Sequence, residues 1–210
     1  RGASWNTIVN ALVAGKGIVF TLTIPEGWEL RTIAPAVSRV MKVPEPAVDS
    51  AVRDTALIRR LGIPAKTLEG YLFPETYLLP EGSPAAAIVR RLVGEFERRW
   101  KPEWNLQLEK LGMTRHQVVT LASIIEKEAR VASERPTISA VYHNRLKRGM
   151  LLQADPTVLY ALGRHETRVL YRHLAINSPY NTYRNVGLPP GPIASPGSAS
   201  IEAALFPANV

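Results

Sequence analysis

The chain has 210 residues, room for one medium domain or two small ones. Hydrophobic residues make up 46%, charged residues 21%, and cysteine is absent, which excludes wholesale disorder, disulfides, thiolate catalysis and zinc–cysteine sites. The net charge of +8 invites a nucleic-acid reading, yet the basic stretches Arg90-Arg91, Arg98 to Lys101 and Arg145 to Arg148 lie in helical patterns interrupted by acids. They read as solvated helix faces with no nucleic-acid partner, an anionic envelope polymer or phospholipid surface being the alternative. No apolar run approaches the ~20 residues that span a bilayer. Arg1 opens the chain with neither an initiator Met nor a signal-peptide pattern, which suggests a segment of something longer.

In chain order, a short helix is expected over 5–14, with Ser4 before it and Gly15 as its stop. Val19 to Ile24 alternates apolar residues with threonines and reads as a strand ending at Pro25. After the Glu26-Gly27 turn, Leu30, Ile33, Ala34, Val37, Val40 and Met41 follow helical spacing, with Pro35 as a local conflict. One further helix fits roughly 46–61, closed by Gly62. Residues 67–80 read as strand and irregular connection, and Ser83-Pro84 caps an amphipathic helix through about Trp100. Thr114 and Gln117 stand at capping-box spacing before a helix to about Arg130. Pro136 opens the next helix, which closes at Gly149; Asp155-Pro156 opens another, closed by Gly163. The segment from Asn177 to Gly197 reads as a long ordered loop.

Glu126 is the most informative position. Its helical face-mates are the small residues Ala122, Ser123 and Ala129, and it borders the apolar stripe Val118, Leu121 and Ile125. A carboxylate so placed could face a groove with room for a bulky substrate, and partial desolvation is the usual way to keep a glutamic acid protonated for general-acid work. The bland alternative is a surface pair with Arg130 at i,i+4. Glu128 lies about 200° further round the helix, so the two cannot flank one scissile bond. Asp155, with a helix N-cap as its plainer role, and Glu75 are the distant partners to consider. The four histidines lack metalloprotease spacing, and Pro189-Pro190 spoil a phosphate cradle. No metal or cofactor is therefore expected. The Ser195 to Ser200 stretch reads as a turn and helix cap. Tyr180-Asn181-Thr182-Tyr183 suits sugar recognition, or else pins its own loop.

Several segments carry a resemblance: Thr23 to Gly27, Leu68 to Tyr77, Ala122 to Glu128, Tyr142 to Leu146, Leu152 to Thr157 and Ser178 to Gly197. In that order the chain resembles the MltG (YceG-like) endolytic peptidoglycan transglycosylase family. The resemblance implies an α+β fold, with a LysM-like βααβ subdomain in residues 1–80 and a mainly helical, lysozyme-like catalytic domain in 81–210. It implies Glu126 as the catalytic residue, and Asn144, Gln153, Asp155, Tyr180 and Asn181 as substrate-binding residues. The implied reaction is non-hydrolytic cleavage between N-acetylmuramic acid and N-acetylglucosamine, which leaves 1,6-anhydro ends and limits nascent strand length. Implied partners are peptidoglycan glycan strands and cell-wall synthases (penicillin-binding proteins). Implied too is a single-pass anchor in the inner (cytoplasmic) membrane, ahead of Arg1, with the catalytic domain on the extracytoplasmic side. A further strand-forming segment is expected beyond Val210. A glycan-binding module without turnover, a synthase scaffold and a hydrolytic muramidase are the rival readings.

Overall fold

The structure, a computed structural model, describes residues 4–6, 18–164, 166 and 168–209; most of the helix expected over 5–14 lies outside them. Strand β1 (Val19–Ile24) pairs antiparallel with β2 (Glu75–Pro80), with Val19 opposite Pro80 and Ile24 opposite Glu75. The alternation of β1 has its expected result: Leu22 and Ile24 are buried while Val19, Thr21 and Thr23 face solvent. On β2, Tyr77 and Leu79 fill the same inner face. Three helices lie between the strands: α1 (Leu30–Met41), α2 (Glu45–Ala51) and α3 (Thr55–Arg60). The single helix expected over 46–61 is thus two, and the expected βααβ order is βαααβ. Asp54 makes the break, its carboxylate accepting from Ala56 N and Leu57 N at 2.9 and 3.1 Å to cap α3. Pro35 sits inside α1 on its exposed side, where water can reach the carbonyl deprived of a partner.

Six more helices follow: α4 (Ala85–Arg99), α5 (Trp104–Leu111), α6 (Arg115–Glu128), α7 (Arg135–Lys147), α8 (Asp155–Leu162) and α9 (Ser198–Leu205). Pro84 stands at the N-cap of α4, and the Ser83 hydroxyl donates instead to Pro80 O at 2.7 Å, closing the turn after β2. Helix α5 has no counterpart in the sequence reading; Trp104 anchors it, 1% exposed, and Gly112 ends it in the left-handed region. The capping box of α6 forms as its spacing requires, with Thr114 Oγ1 accepting from Gln117 N and Gln117 Oε1 from Thr114 N.

The segment 177–197 is irregular but tied down along its length. Thr182 O accepts from Gln153 N, Ser123 Oγ from Ile193 N, and Trp28 O from Ser195 N, at 2.8–3.1 Å. A continuous cluster of buried apolar residues runs from Leu22 on β1 through Ile88, Phe96, Trp104 and Ile124 to Leu205 on α9. The chain is mostly helical around a two-stranded sheet, consistent with the α+β class.

Candidate active site

Glu126 sits in the last turn of α6, with 6% of its side chain exposed. The chain then reverses through Ala129, in extended conformation, and a 3-10 turn at Ala132–Glu134, so that α7 begins at Arg135 beside the end of α6. Arg135 Nη2 donates to Glu126 Oε1 at 3.2 Å, and its Nε donates to Ser200 Oγ on α9 at 3.0 Å. On the other oxygen, Gly197 N donates to Oε2 at 2.9 Å from the N-cap of α9. The carboxylate at the C-terminal end of one helix thus faces the positive end of another. The partner is Arg135, and the pairing with Arg130 at helical spacing does not form, because α6 stops at Glu128.

The small face-mates of Glu126 do not open a groove. Ala122 and Ser123 are fully buried, and Ser123 Oγ accepts from Ile193 N at 3.0 Å. Two hollows are lined by residues next to Glu126, neither by Glu126 itself. One hollow of about 360 Å³ is lined by Gly27, Trp28 and Lys127, among others, and one of about 250 Å³ by Arg135, Ala199 and Glu202.

A second carboxylate reaches the site from the turn after β1. Glu26 Oε2 lies 3.9 Å from Arg135 Nη2. Burial pushes the Glu26 carboxyl up, the Glu126 charge adds to the rise, and Arg135 opposes it. Gly27 N donates to Ser195 O at 2.9 Å and Lys127 Nζ to Gly27 O at 3.2 Å, which fixes this turn against α6 and the 177–197 segment. Neither distant partner considered from the sequence is here. Asp155 accepts from Tyr183 Oη at 2.6 Å and adds to the rise of Glu128, whose carboxyl is pushed up chiefly by burial. Glu75 pairs with Arg99 on the sheet side at 2.6 Å. Asp155 is also not the cap of α8; it is the first helical residue, after Ala154.

The other sequence-derived candidates are dispersed. Asn144, on α7, lines a cavity of about 830 Å³ with His116, His143 and Pro190. Asp155 and Tyr183 line another, of about 690 Å³, with Arg172. Gln153 is exposed and holds φ +52°, its backbone N–H bonded to Thr182 O. Tyr180 packs on Tyr160 with ring centroids 4.8 Å apart. Asn181 is fully buried: its Nδ2 donates to Leu174 O and Ile176 O, and its Oδ1 accepts from Tyr183 N. Both amide hydrogens are spent on the loop, so any effect of Asn181 on a ligand passes through the loop it holds.

Sequence reasoning missed Arg135, Gly197 and Glu26 as a group. Arg135 stands 9 residues and Gly197 71 residues from Glu126, and no local pattern announces either. Among the described residues no helix is long and apolar enough to cross a membrane, and no group of three or more acids and histidines is placed to hold a metal ion.

Glu126 is thus a mostly buried acid at a helix end, held by a guanidinium and a main-chain amide. The model of the YceG-like family matches residues 1–210, and the chain belongs to that family. An endolytic murein transglycosylase of Bacillus subtilis (strain 168) is 37% identical over 222 residues, covering 99% of this chain and 62% of its own length. Another, from Streptococcus pneumoniae serotype 2, is 32% identical over 213 residues, covering 90% of this chain and 38% of its own. The chain thus spans less than two thirds of these relatives. A crystal structure of a YceG-like protein from Listeria monocytogenes superposes with a TM-score of 0.84 at 37% identity, covering all of this chain and 74% of that one.

Proposed function

We propose that this chain carries the catalytic centre of an endolytic murein transglycosylase, with Glu126 as its single acid and base. The observation that carries the reading is the seat of Glu126: 6% exposed, bonded to Arg135 and to Gly197 N, with hollows lined by its neighbours Lys127 and Arg135. The names of the similar bacterial proteins supply the substrate, peptidoglycan.

In the first half of the reaction Glu126 gives its proton to the oxygen linking N-acetylmuramic acid to N-acetylglucosamine, and the C1–O bond breaks. As a carboxylate it then takes the proton of the muramoyl C6 hydroxyl while that oxygen bonds to C1. The proton returns to Glu126, no water is consumed, and the new end is a 1,6-anhydro ring. Arg135 and Gly197 N steady the carboxylate in the second half, when it carries charge. Residues 1–80 contain a LysM-like glycan-holding part and residues 81–210 the catalytic part. Asn144, Gln153, Asp155 and Tyr180 serve as more distant contacts along the glycan. Since peptidoglycan lies outside the cytoplasmic membrane, the site works on the extracytoplasmic face, in a membrane-anchored protein near the cell-wall synthases.

The test is mass spectrometry of fragments released from purified sacculi by the protein and by Glu126→Gln. Anhydro-muramoyl ends from the wild type alone are expected. Reducing ends would instead make the enzyme a hydrolase, with Glu26 as the second carboxylate that hydrolysis requires. Undiminished release by Glu126→Gln would remove that residue from the chemistry.

A further inference from the structure

Two hollows meet along the junction between the sheet-bearing part and the helical part. The one of about 360 Å³ beside Lys127 and a second, of about 290 Å³, share Glu29, Arg31 and Gly163 in their walls, so they form one furrow. One wall comes from the turn after β1, the start of α1 and Arg53, between α2 and α3. The other comes from Lys127 on α6 and from Tyr160, Gly163 and Arg164 at the end of α8. The furrow starts beside the acid: Lys127 follows Glu126 in the chain, and a Cβ at Gly27 would lie 3.8 Å from Glu126 Cγ. Its charge is one-sided. Lys127, Arg31, Arg53 and Arg164 all line it, and all are exposed. Glu29 answers Arg31 at 2.6 Å and Glu166 answers Arg164 at 3.0 Å. Among the described residues no acid pairs with Arg53, and Lys127 bonds only the carbonyl of Gly27. Glu69 lies at the far end. Burial pushes its carboxyl up to about 8, so at neutral pH it keeps most of its proton and cancels little of that charge.

We propose that this furrow is a subsite for the carboxylates of the peptides that hang from the glycan, with Arg31 and Arg53 as its specificity-determining residues. This rests on the transglycosylase reading above. Where a peptide is attached, the lactyl carboxyl of N-acetylmuramic acid is spent in an amide, and the negative charge sits on the free carboxylates of the peptide. Such a carboxylate finds cations here that the protein's own acids leave uncompensated. A recess concentrates the field of the charges that line it, and a guanidinium fork meets a carboxylate with two parallel hydrogen bonds. The other hollow beside the acid is a poorer host: its cation is Arg135, already bonded to Glu126 and Ser200. An anionic phospholipid surface is the competing partner for exposed cations. A flat surface meets cations that protrude, however, and these line a recess that starts next to the acid.

The experiment measures the affinity of labelled soluble glycan strands for the full-length protein carrying Glu126→Gln, so that bound strands are not cut. Three kinds of strand are compared: native peptide-bearing strands, strands whose peptide carboxyls are converted to primary amides, and strands stripped of peptide by an amidase, which keep only the lactyl carboxylate. Adding Arg31→Gln and Arg53→Gln together is expected to raise Kd for native strands about tenfold. Amidation of the strands should weaken the parent protein by a similar factor and the double variant hardly at all, and stripped strands should bind both proteins alike. Arg31→Lys with Arg53→Lys keeps the charge and should recover most of the affinity. An unchanged Kd for native strands, or an equal loss on amidated strands, would overturn the proposal. An equal loss on stripped strands would overturn it by placing the contact on the lactyl carboxylate. So would a double variant that loses vesicles of anionic phospholipid and keeps native strands. If the glutamine pair does not fold, the amidated strands alone decide, since only the ligand changes: undiminished binding by the parent counts against the furrow. Fragment release by Glu126→Gln at the wild-type rate would instead remove the reading on which the proposal stands.

Discussion

Two buried side chains illustrate how little of a residue's role its type reveals. Asn181 drew attention as an amide beside tyrosines, suited to sugar hydroxyls; in the fold it joins three backbone groups of its own loop. Asn181→Ala strands two carbonyls and one N–H in a fully buried place, and about 3 kcal/mol of stability should go with them, measured by urea unfolding. Glu69 is the second case. It is 6% exposed, both its oxygens lie within 3.2 Å of Leu30 N, and Oε2 accepts from Tyr160 Oη at 3.3 Å. Burial outweighs those bonds and pushes its carboxyl up to about 8. The folded chain therefore keeps a proton that an unfolded chain releases near pH ~4.3. This group's contribution is complete below the unfolded value and fades as pH rises toward about 8. Melting temperature should fall across that window in the wild type, and Glu69→Gln should flatten the fall.

At the level of elements, what the sequence made legible was whatever local chemistry decides. The β1 alternation, the apolar spacing of α1 and the Thr114–Gln117 box each involve neighbours within a few residues, and each forms as read. Where a neighbour distant in sequence takes over, the reading failed. Ser83 was expected to cap α4 and is drawn off by Pro80 O. Helix α5 went unread because it is short and is held through Trp104 packed edge-on against Trp100, a contact between elements. The irregular segments depend on such long-range fits. Gly70 combines φ +80° with a Cβ position 2.4 Å from Pro192 Cβ, so both its backbone and its missing side chain are needed where the 67–74 connection meets the 177–197 segment. Gly70→Ala should destabilise the protein by about 2–4 kcal/mol in calorimetry, whereas alanine at Gly94, inside α4 with open space around it, should be neutral or mildly stabilising.

Across the whole molecule the sequence singled out Glu126 but not what surrounds it, because its neighbours come from the β1 turn, α7 and the start of α9. The same dispersal ties the sheet-bearing part to the helical part. Tyr71 Oη bonds His116 Nδ1 at 2.8 Å, His116 Nε2 bonds Pro190 O at 3.0 Å, and the apolar cluster crosses between them without a break. Residues 18–80 and 81–209, produced separately, should therefore each lack a cooperative melting transition and recover one only when mixed, a result that calorimetry would read directly. The hold on Glu126 by Gly197 has one more consequence, which concerns heredity. Its donor is a main-chain N–H, a group supplied by every codon except those for proline. Mutational drift at position 197 can hardly strip the acid of this bond. It can only fill the space that the glycine leaves for Glu26, so selection here guards an emptiness as much as a contact.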